Sequence, residues 1–335
     1  MTETNAATRY MRAAMVRSYG PPELVQVEEV PIPEVGSGAA LVEVHAAAVN
    51  FPDVLIIANE YQVSVPLPFT PGSEYAGVVT EVASDVEAVR PGDRVSGSMM
   101  AGAFAEQVVV PAASLTRVDP EIDLELAAAF AVAHVTAYHA LRSVAEPQPG
   151  EWVCVLGAAG GVGLASVEVA RLLGARVVAV ARRSKHEPCL EAGAEVTLDS
   201  DAGALKEQLR EVTKGGADVV IDPVGGPLSE QALRAMRWGG RFVTVGYASG
   251  EIPRIPLNLV LLKGVIVKGF EIRTFGQYAP ELAARDRAEA YEHFRKGRLR
   301  PRILARFPLE DVVGALQHVV SRQAVGKVIV RCREA

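Results

Sequence analysis

Cysteine is scarce. Only three occur in 335 residues, Cys154, Cys189 and Cys332. They lie far apart, none in a C-x-x-C pair, and an odd number argues against a disulfide framework. A reducing, cytoplasmic setting is expected. Positive charge is not in excess: the net charge is −6, spread along the chain, which argues against a nucleic-acid surface and supplies no basic membrane patch. Long hydrophobic runs are also missing. The longest apolar region, Leu124 to Leu141, is broken by Glu125, His134 and His139, so no membrane span is expected. Met1 to Met11 is polar, lacks the apolar centre of a signal peptide and reads as a frayed tail. No internal repeat or low-complexity segment is present.

What is plentiful is apolar residues and glycine: 49% of the chain is hydrophobic and 30 residues are glycine, as in a parallel sheet buried on both faces. The informative stretch runs from Glu151 to Gly163. Trp152 to Leu156 is a short apolar run suited to one buried strand. Gly157, Gly160, Gly161 and Gly163 make a turn of low bulk, and from Val162 apolar residues recur at helical spacing. Gly174 stops that helix, and Arg176 to Ala181 reads as a second buried strand. Strand, turn, helix and strand form the βαβ unit that binds a dinucleotide, whose pyrophosphate meets the amides of the turn and the helix N-terminus. With Ala158 at the first glycine position the motif is A-x-G-x-x-G. Its context, strand before and helix after, is what makes it informative.

An NAD site places Asp or Glu at the end of the second strand. Here Ala181-Arg-Arg-Ser-Lys185 follows instead, and Arg182, Arg183 and Lys185 favour a ribose 2′-phosphate and hence NADPH. The plain alternative is a solvated charge run.

Residues 12–45 and 78–110 are strand-rich and punctuated by Pro and Gly, which suggests a small antiparallel barrel. From Leu124 to Ala145 the pattern is helical, and strands and helices then alternate to Phe270 as in a doubly wound parallel sheet. Two helical stretches and a last strand, Lys327 to Arg331, return to the first domain. The expected fold is therefore α/β: a Rossmann-type doubly wound parallel sheet inserted into a strand-rich barrel. The barrel domain takes residues 1–132 and 275–335, and the nucleotide domain 133–274. Ligands in such folds sit beside the carboxyl ends of the parallel strands.

A set of motifs accompanies this layout: Ala48-Val-Asn-Phe-Pro-Asp53, Pro71-Gly-Ser-Glu-Tyr-Ala-Gly77, Pro91-Gly-Asp-Arg-Val95, Gly102-Ala-Phe-Ala-Glu106, Thr136-Ala-Tyr-His-Ala140, Gly157-Ala-Ala-Gly-Gly-Val-Gly163, Asp222-Pro-Val-Gly-Gly226 and Trp238 to Gly246. With these the chain resembles the medium-chain dehydrogenase/reductase superfamily, and within it the zinc-free quinone oxidoreductases, from Met11 through Val330. The resemblance implies a GroES-like barrel and an NADPH-binding Rossmann domain. Related quinone reductases often carry a tyrosine near the adenosine phosphate at about the position of Asp199, and the resemblance implies that an aspartate pointing inward there repels a 2′-phosphate and allows use of NADH. It also implies a homodimer joined edge to edge, for which the apolar, strand-like Leu261 to Gly269 is the expected edge.

Zinc alcohol dehydrogenases of the superfamily carry a Cys ligand where Asn50 stands here and a His where Ser73 stands, and four cysteines of a structural zinc loop are absent. No metal is expected. His134 and His139, five apart, are wrongly spaced to share one and are expected to pack or cap. The resemblance places Asn50, Asp53, Tyr61 and Thr136 at the catalytic end. Gly157, Ala159, Gly160, Gly161, Val162, Gly163, Val224, Gly246, Tyr247, Ser249, Phe270 and Lys327 join Arg182, Arg183 and Lys185 around the cofactor. Each catalytic candidate also has a structural reading: Asn50 as the cap of the helix beginning at Pro52, Asp53 as an acid in a first helical turn, Thr136 as a hydroxyl bonded back to a helix carbonyl, and Tyr61 as a pocket wall. Lys327 reads equally as a surface lysine. Three functions remain open: hydride transfer from NADPH to a quinone or conjugated carbonyl, reduction of an enoyl thioester or other activated alkene, and non-catalytic NADPH binding.

Overall fold

The computed structural model describes residues 8–321 and 323–333. The chain divides into two compact units, residues 1–132 with 302–335 and residues 133–301.

In the first unit a sheet is ordered Ile303–Pro308, Lys327–Arg331, Ala39–Val49, Glu74–Val82, Arg94–Ser98 and Thr116–Arg117, and Gln107–Pro111 also pairs with Ala39–Val49. Ala39–Val49 is antiparallel to both Lys327–Arg331 and Glu74–Val82. The end of this central strand therefore lies between the beginnings of its two neighbours: Val49 pairs with Val328, and Ala47 with Tyr75. This register brings Asn50, Glu74 and Lys327 to one end of the sheet. Tyr10–Met15 and Gln26–Pro31 form a separate hairpin-like pair. Val42, Val44, Phe104 and Val330 are among the buried side chains of the core.

The second unit is a six-stranded parallel sheet ordered Val196–Asp199, Arg176–Ala181, Trp152–Leu156, Ala217–Asp222, Met236–Thr244 and Ile266–Gly269. Trp152 to Leu156 are all buried, the both-faces-covered state that a continuous apolar run anticipates. The strand order reverses between Trp152–Leu156 and Ala217–Asp222, which is where doubly wound sheets open a crevice.

Three expectations change. The expected boundary at residue 275 lies instead at 302. The helix Pro280–Arg295 packs on Ala133–His139, where Asp286 meets His139 and Glu289 meets Tyr138 and Arg142, so its buried polar groups are satisfied inside the second unit. The expected strand over Leu261 to Gly269 is half helix: Leu257–Lys263 is helical, Gly264 closes it in the left-handed region (φ 57°), and only Ile266–Gly269 joins the sheet. The helical stretch Leu124 to Ala145 is divided into Leu124–Phe130, Ala133–His139 and a wide π turn at Ala140–Ala145. By length and composition Leu124–Ala145 could cross a membrane, but 78% of its most apolar window is buried inside the protein.

Candidate active site

In the second unit, the glycine turn joins the strand Trp152–Leu156 to the helix Gly161–Leu172. Two of its glycines are required by the chain itself. Gly157 has φ 58°, and a Cβ there would lie 2.4 Å from Val224 Cγ2; a Cβ on Gly163 would lie 2.2 Å from the Gly157 carbonyl oxygen. Gly160 is different. It is exposed, has φ −74°, and a Cβ on it would come no nearer than 3.4 Å to the chain. Packing gives no reason for glycine at 160, whereas the close approach of a ligand does. The helix has no side-chain cap, and the N–H groups of Gly161, Val162 and Gly163 record no acceptor among the described residues. Open amides, a helix N-terminus and space above Gly160 fit a pyrophosphate. Gly160→Ala is expected to keep the melting temperature of the parent and weaken dinucleotide binding about tenfold, ~1.4 kcal/mol. Gly163→Ala should instead lower stability by about 2–3 kcal/mol. Thermal melts and dinucleotide titration of both variants check this.

The next strand, Arg176–Ala181, runs into Arg182 and the 3₁₀ turn Arg183–Lys185. Arg182 and Arg183 are exposed and Lys185 half-buried. Partial burial and the Arg182 charge depress the Lys185 pKa, the crowding that an anion would relieve. Arg182 meets Asp201 only at 3.7 Å. Asp199, the residue that argued against a 2′-phosphate, accepts the Asp201 N–H at 3.1 Å. Its carboxylate thus closes its own turn.

At the switch point Asp222 is buried and raised in pKa by that burial. Its carboxylate accepts from Val224 N (2.9 Å), Gly225 N (2.8 Å) and Ser229 Oγ (2.5 Å). The loop so held sets Val224 against Gly157. The Ser249 N–H donates to the Val224 carbonyl (2.8 Å) and Gly246 N–H to that of Asp222 (3.3 Å), so Gly157, Val224, Gly246, Tyr247 and Ser249 share one crevice. Phe270, at the neighbouring strand end, hydrogen-bonds Thr244 and stacks near Phe275 and His139, with ring centroids at 5.4 and 6.1 Å. Burial keeps the His139 pKa low; a neutral ring then donates Nδ1–H to Asp286 at 3.1 Å. Thr136 is buried on the same helix, yet its hydroxyl records no bond to a helix carbonyl. Ser166, by comparison, bonds back to Val162 at 2.8 Å. His134 pairs with Glu168 at 3.1 Å.

The first unit holds the other candidates. Asn50 is the N-cap residue of the helix Phe51–Ala58 and forms a capping box with Asp53, whose Oδ2 accepts the Asn50 backbone N–H at 2.7 Å. The Asn50 carboxamide has further partners: Nδ2 donates to Glu74 Oε1 (2.9 Å) and Ser73 Oγ (3.1 Å), and Oδ1 accepts from Lys327 Nζ (2.6 Å). Lys327 also pairs with Glu74, whose Oε2 accepts Val132 N–H at 2.7 Å. Lys327 is therefore neither a surface lysine nor an outward one; it is 3% exposed. Tyr61 is half-buried against the core of this unit. Glu74 was not singled out by sequence reasoning; the signal for it is the acid that directly follows the substituted His position in Gly72-Ser-Glu74.

Asp53 is fully buried, and burial raises its pKa from 3.8 to about 7. A carboxyl whose folded pKa is raised contributes stability that is present below the unfolded pKa and lost as pH rises through the folded value. Wild-type stability should thus fall between pH 4 and pH 7, by at most about 4 kcal/mol from this group. Asp53→Asn should flatten that slope in urea titrations at successive pH values.

The comparisons agree with this geometry. A family model described as an alcohol dehydrogenase GroES-like domain matches residues 36–120, and one described as a zinc-binding dehydrogenase matches residues 161–285. The quinone oxidoreductase-like protein 2 of Bos taurus is 38% identical over 324 residues, covering 96% of this chain and 92% of its own length. The chain belongs to the medium-chain dehydrogenase/reductase superfamily, as a quinone oxidoreductase-like member. Two solved members of this group, a mycobacterial protein complexed with NADPH and the Escherichia coli quinone oxidoreductase complexed with NADPH, are 30% and 27% identical to it. Each superposes with a TM-score of 0.88 and covers 96% of this chain and 99% of its own. Like these relatives, the chain is an α/β protein with a GroES-like domain and a parallel nucleotide sheet, and it is an oxidoreductase. Among the described residues no group of three or more His, Cys, Asp or Glu is arranged to hold a metal ion.

Proposed function

We propose that this protein is a metal-free, NADPH-dependent reductase of quinones and related conjugated carbonyls. The observation that carries the proposal is the ammonium of Lys327 standing among Asn50 and Glu74, beside the two side chains that replace zinc ligands. An amide and a hydroxyl are poor zinc donors beside Cys, His and carboxylate, the Glu74 carboxylate is already paired with Lys327, and burial raises the pKa of Asp53, the other acid there.

The cofactor reading rests on fit. The open amides of Gly161 to Gly163 and the space over Gly160 suit the pyrophosphate. Arg182, Arg183 and Lys185 suit the 2′-phosphate, and the crevice of Val224, Gly246, Tyr247 and Ser249, with Phe270 and Thr136, suits the nicotinamide. The NADPH complexes of two similar proteins support the same assignment. When bound, NADPH supplies the hydride. The chain's own contribution is to orient the two reactants and exclude water. A quinone suits a site without a Lewis acid because its reduction yields an aromatic ring with delocalised oxyanions, so no metal need polarise a carbonyl. Three free, buried cysteines are in keeping with a reducing, cytoplasmic setting.

The test is oxidation of NADPH and NADH, without oxygen, against quinones, enones and enoyl-CoA esters. Turnover with quinones supports the proposal. Reduction confined to enoyl thioesters and abolished by Tyr61→Phe would replace it with an alkene reductase, and tight NADPH binding with no oxidation at all would make it a binding protein.

The same reading includes a homodimer. Ile266–Gly269 is the outer strand of the nucleotide sheet, and Trp238, Leu257, Leu261, Leu262, Ile266 and Val267 are exposed around it. An open apolar edge of this kind is a pairing site. Light scattering should show a dimer for the parent and a monomer for Leu261→Asp/Val267→Lys.

A further inference from the structure

The geometry points to Lys327 as a positioning residue, an internal cation that fixes the direction of the Asn50 carboxamide for the reaction. The inference rests on the proposed reductase function and deepens it.

A carboxamide has two nearly isosteric orientations, and its neighbours decide between them. Here the neighbours leave no choice. An ammonium only donates, so the group within 2.6 Å of Lys327 Nζ must be Oδ1. A carboxylate only accepts, so the group at 2.9 Å from Glu74 Oε1 must be Nδ2. The Lys327 N–H groups are met by Asn50 Oδ1, Glu74 Oε1 and the Val49 carbonyl at 3.3 Å. Glu74 is anchored in turn by Val132 N–H, and all of these groups lie buried at one end of the sheet. Lys327 has no donor left for a substrate, so its effect on turnover passes through Asn50. The Asn50 Oδ1 edge, which meets Lys327, is thereby held as an acceptor. Without Lys327 the amide can turn and present a donor there instead.

Lys327→Met alone leaves Glu74 buried and unpaired, which is strongly destabilising. The informative variant is Lys327→Met/Glu74→Gln, which removes both charges. The chain has four asparagines, Asn5, Asn50, Asn59 and Asn258, so protein labelled with ¹⁵N-asparagine gives few side-chain amide signals, and Asn50→Asp identifies the relevant pair. The expected result is a double variant that melts near the parent. Its Asn50 amide protons should shift and exchange faster with water. Its kcat with a small quinone should fall about tenfold or more, while the KM for NADPH stays within twofold. An unchanged Asn50 signal would overturn the inference whatever kcat does, and so would a changed signal with parental kcat. If the parent reduces no quinone, the proposed function fails instead, while the amide signal still decides whether Lys327 orients Asn50.

Discussion

Alanine at Arg182, Arg183 and Lys185 together should raise the KM for NADPH about 100-fold, ~2.7 kcal/mol, and leave that for NADH nearly unchanged. The reason is local. These three cations follow the second strand of the sheet, where a dinucleotide's adenosine ribose lies in doubly wound folds. Charge-assisted bonds from arginine to a phosphate are stronger than neutral ones, and NADH has no phosphate there to lose. The effect should not arise through the fold, because Arg182 and Arg183 are exposed. The ion pair of Arg182 with Asp201 is long and solvent-exposed on both sides, a kind worth under about 1 kcal/mol. Equal melting curves with divergent KM values for the two cofactors are the expected outcome. An equal rise for both would show that the cations act on the pyrophosphate or on the fold.

Asp222→Ala should cost about 3 kcal/mol of stability and weaken dinucleotide binding as well. Its carboxylate gathers two backbone N–H groups and the Ser229 hydroxyl in a buried setting, and removing it leaves three donors without their acceptor. Burial raises the pKa of Asp222, so the acid is held there by this loop despite the desolvation. The loop carries Val224, which packs on Gly157, and its carbonyls hold Gly246 and Ser249. Losing the carboxylate therefore loosens both sides of the crevice. Urea unfolding and NADPH titration of the variant measure the two effects. Asp222→Asn, which keeps the acceptor oxygen but not the charge, should fall between Ala and the parent.

The nucleotide sheet was readable because its strands are buried on both faces. Trp152–Leu156 and Arg176–Ala181 are apolar runs bounded by glycine or charge, and their limits match the expected ones. Lys327–Arg331 was placed equally well. Leu261 to Gly269 misled because an apolar run lacks a distinguishing period: the helix Leu257–Lys263 buries Leu259 while Leu257, Leu261 and Leu262 stay exposed. The return to the first unit could not be located from the helix Pro280–Arg295 itself. What assigns it is Asp286, whose partner His139 lies 147 residues away.

The site was legible as a set of positions and illegible as a network. Asn50, Asp53 and Ser73 could be named by motif, and Lys327 by its place after Gly326. That Lys327 turns inward depends on Glu74, which is 253 residues distant, and nothing local in either segment announces the pairing. Asp199 shows the reverse. A charge that would repel a 2′-phosphate if it pointed inward is bonded to its own turn, a local contact that sequence can suggest but not choose.

The central claim is that this chain passes hydride from NADPH to a quinone without a metal. The most direct measurement is anaerobic reduction of a small quinone by NADPH deuterated at nicotinamide C4, one diastereomer at a time, with protein treated with a strong chelator and checked for metal content. The account predicts undiminished turnover in the chelated protein and a primary isotope effect with one diastereomer only. Activity lost on chelation and restored by zinc, or no quinone-dependent oxidation of NADPH, would contradict it.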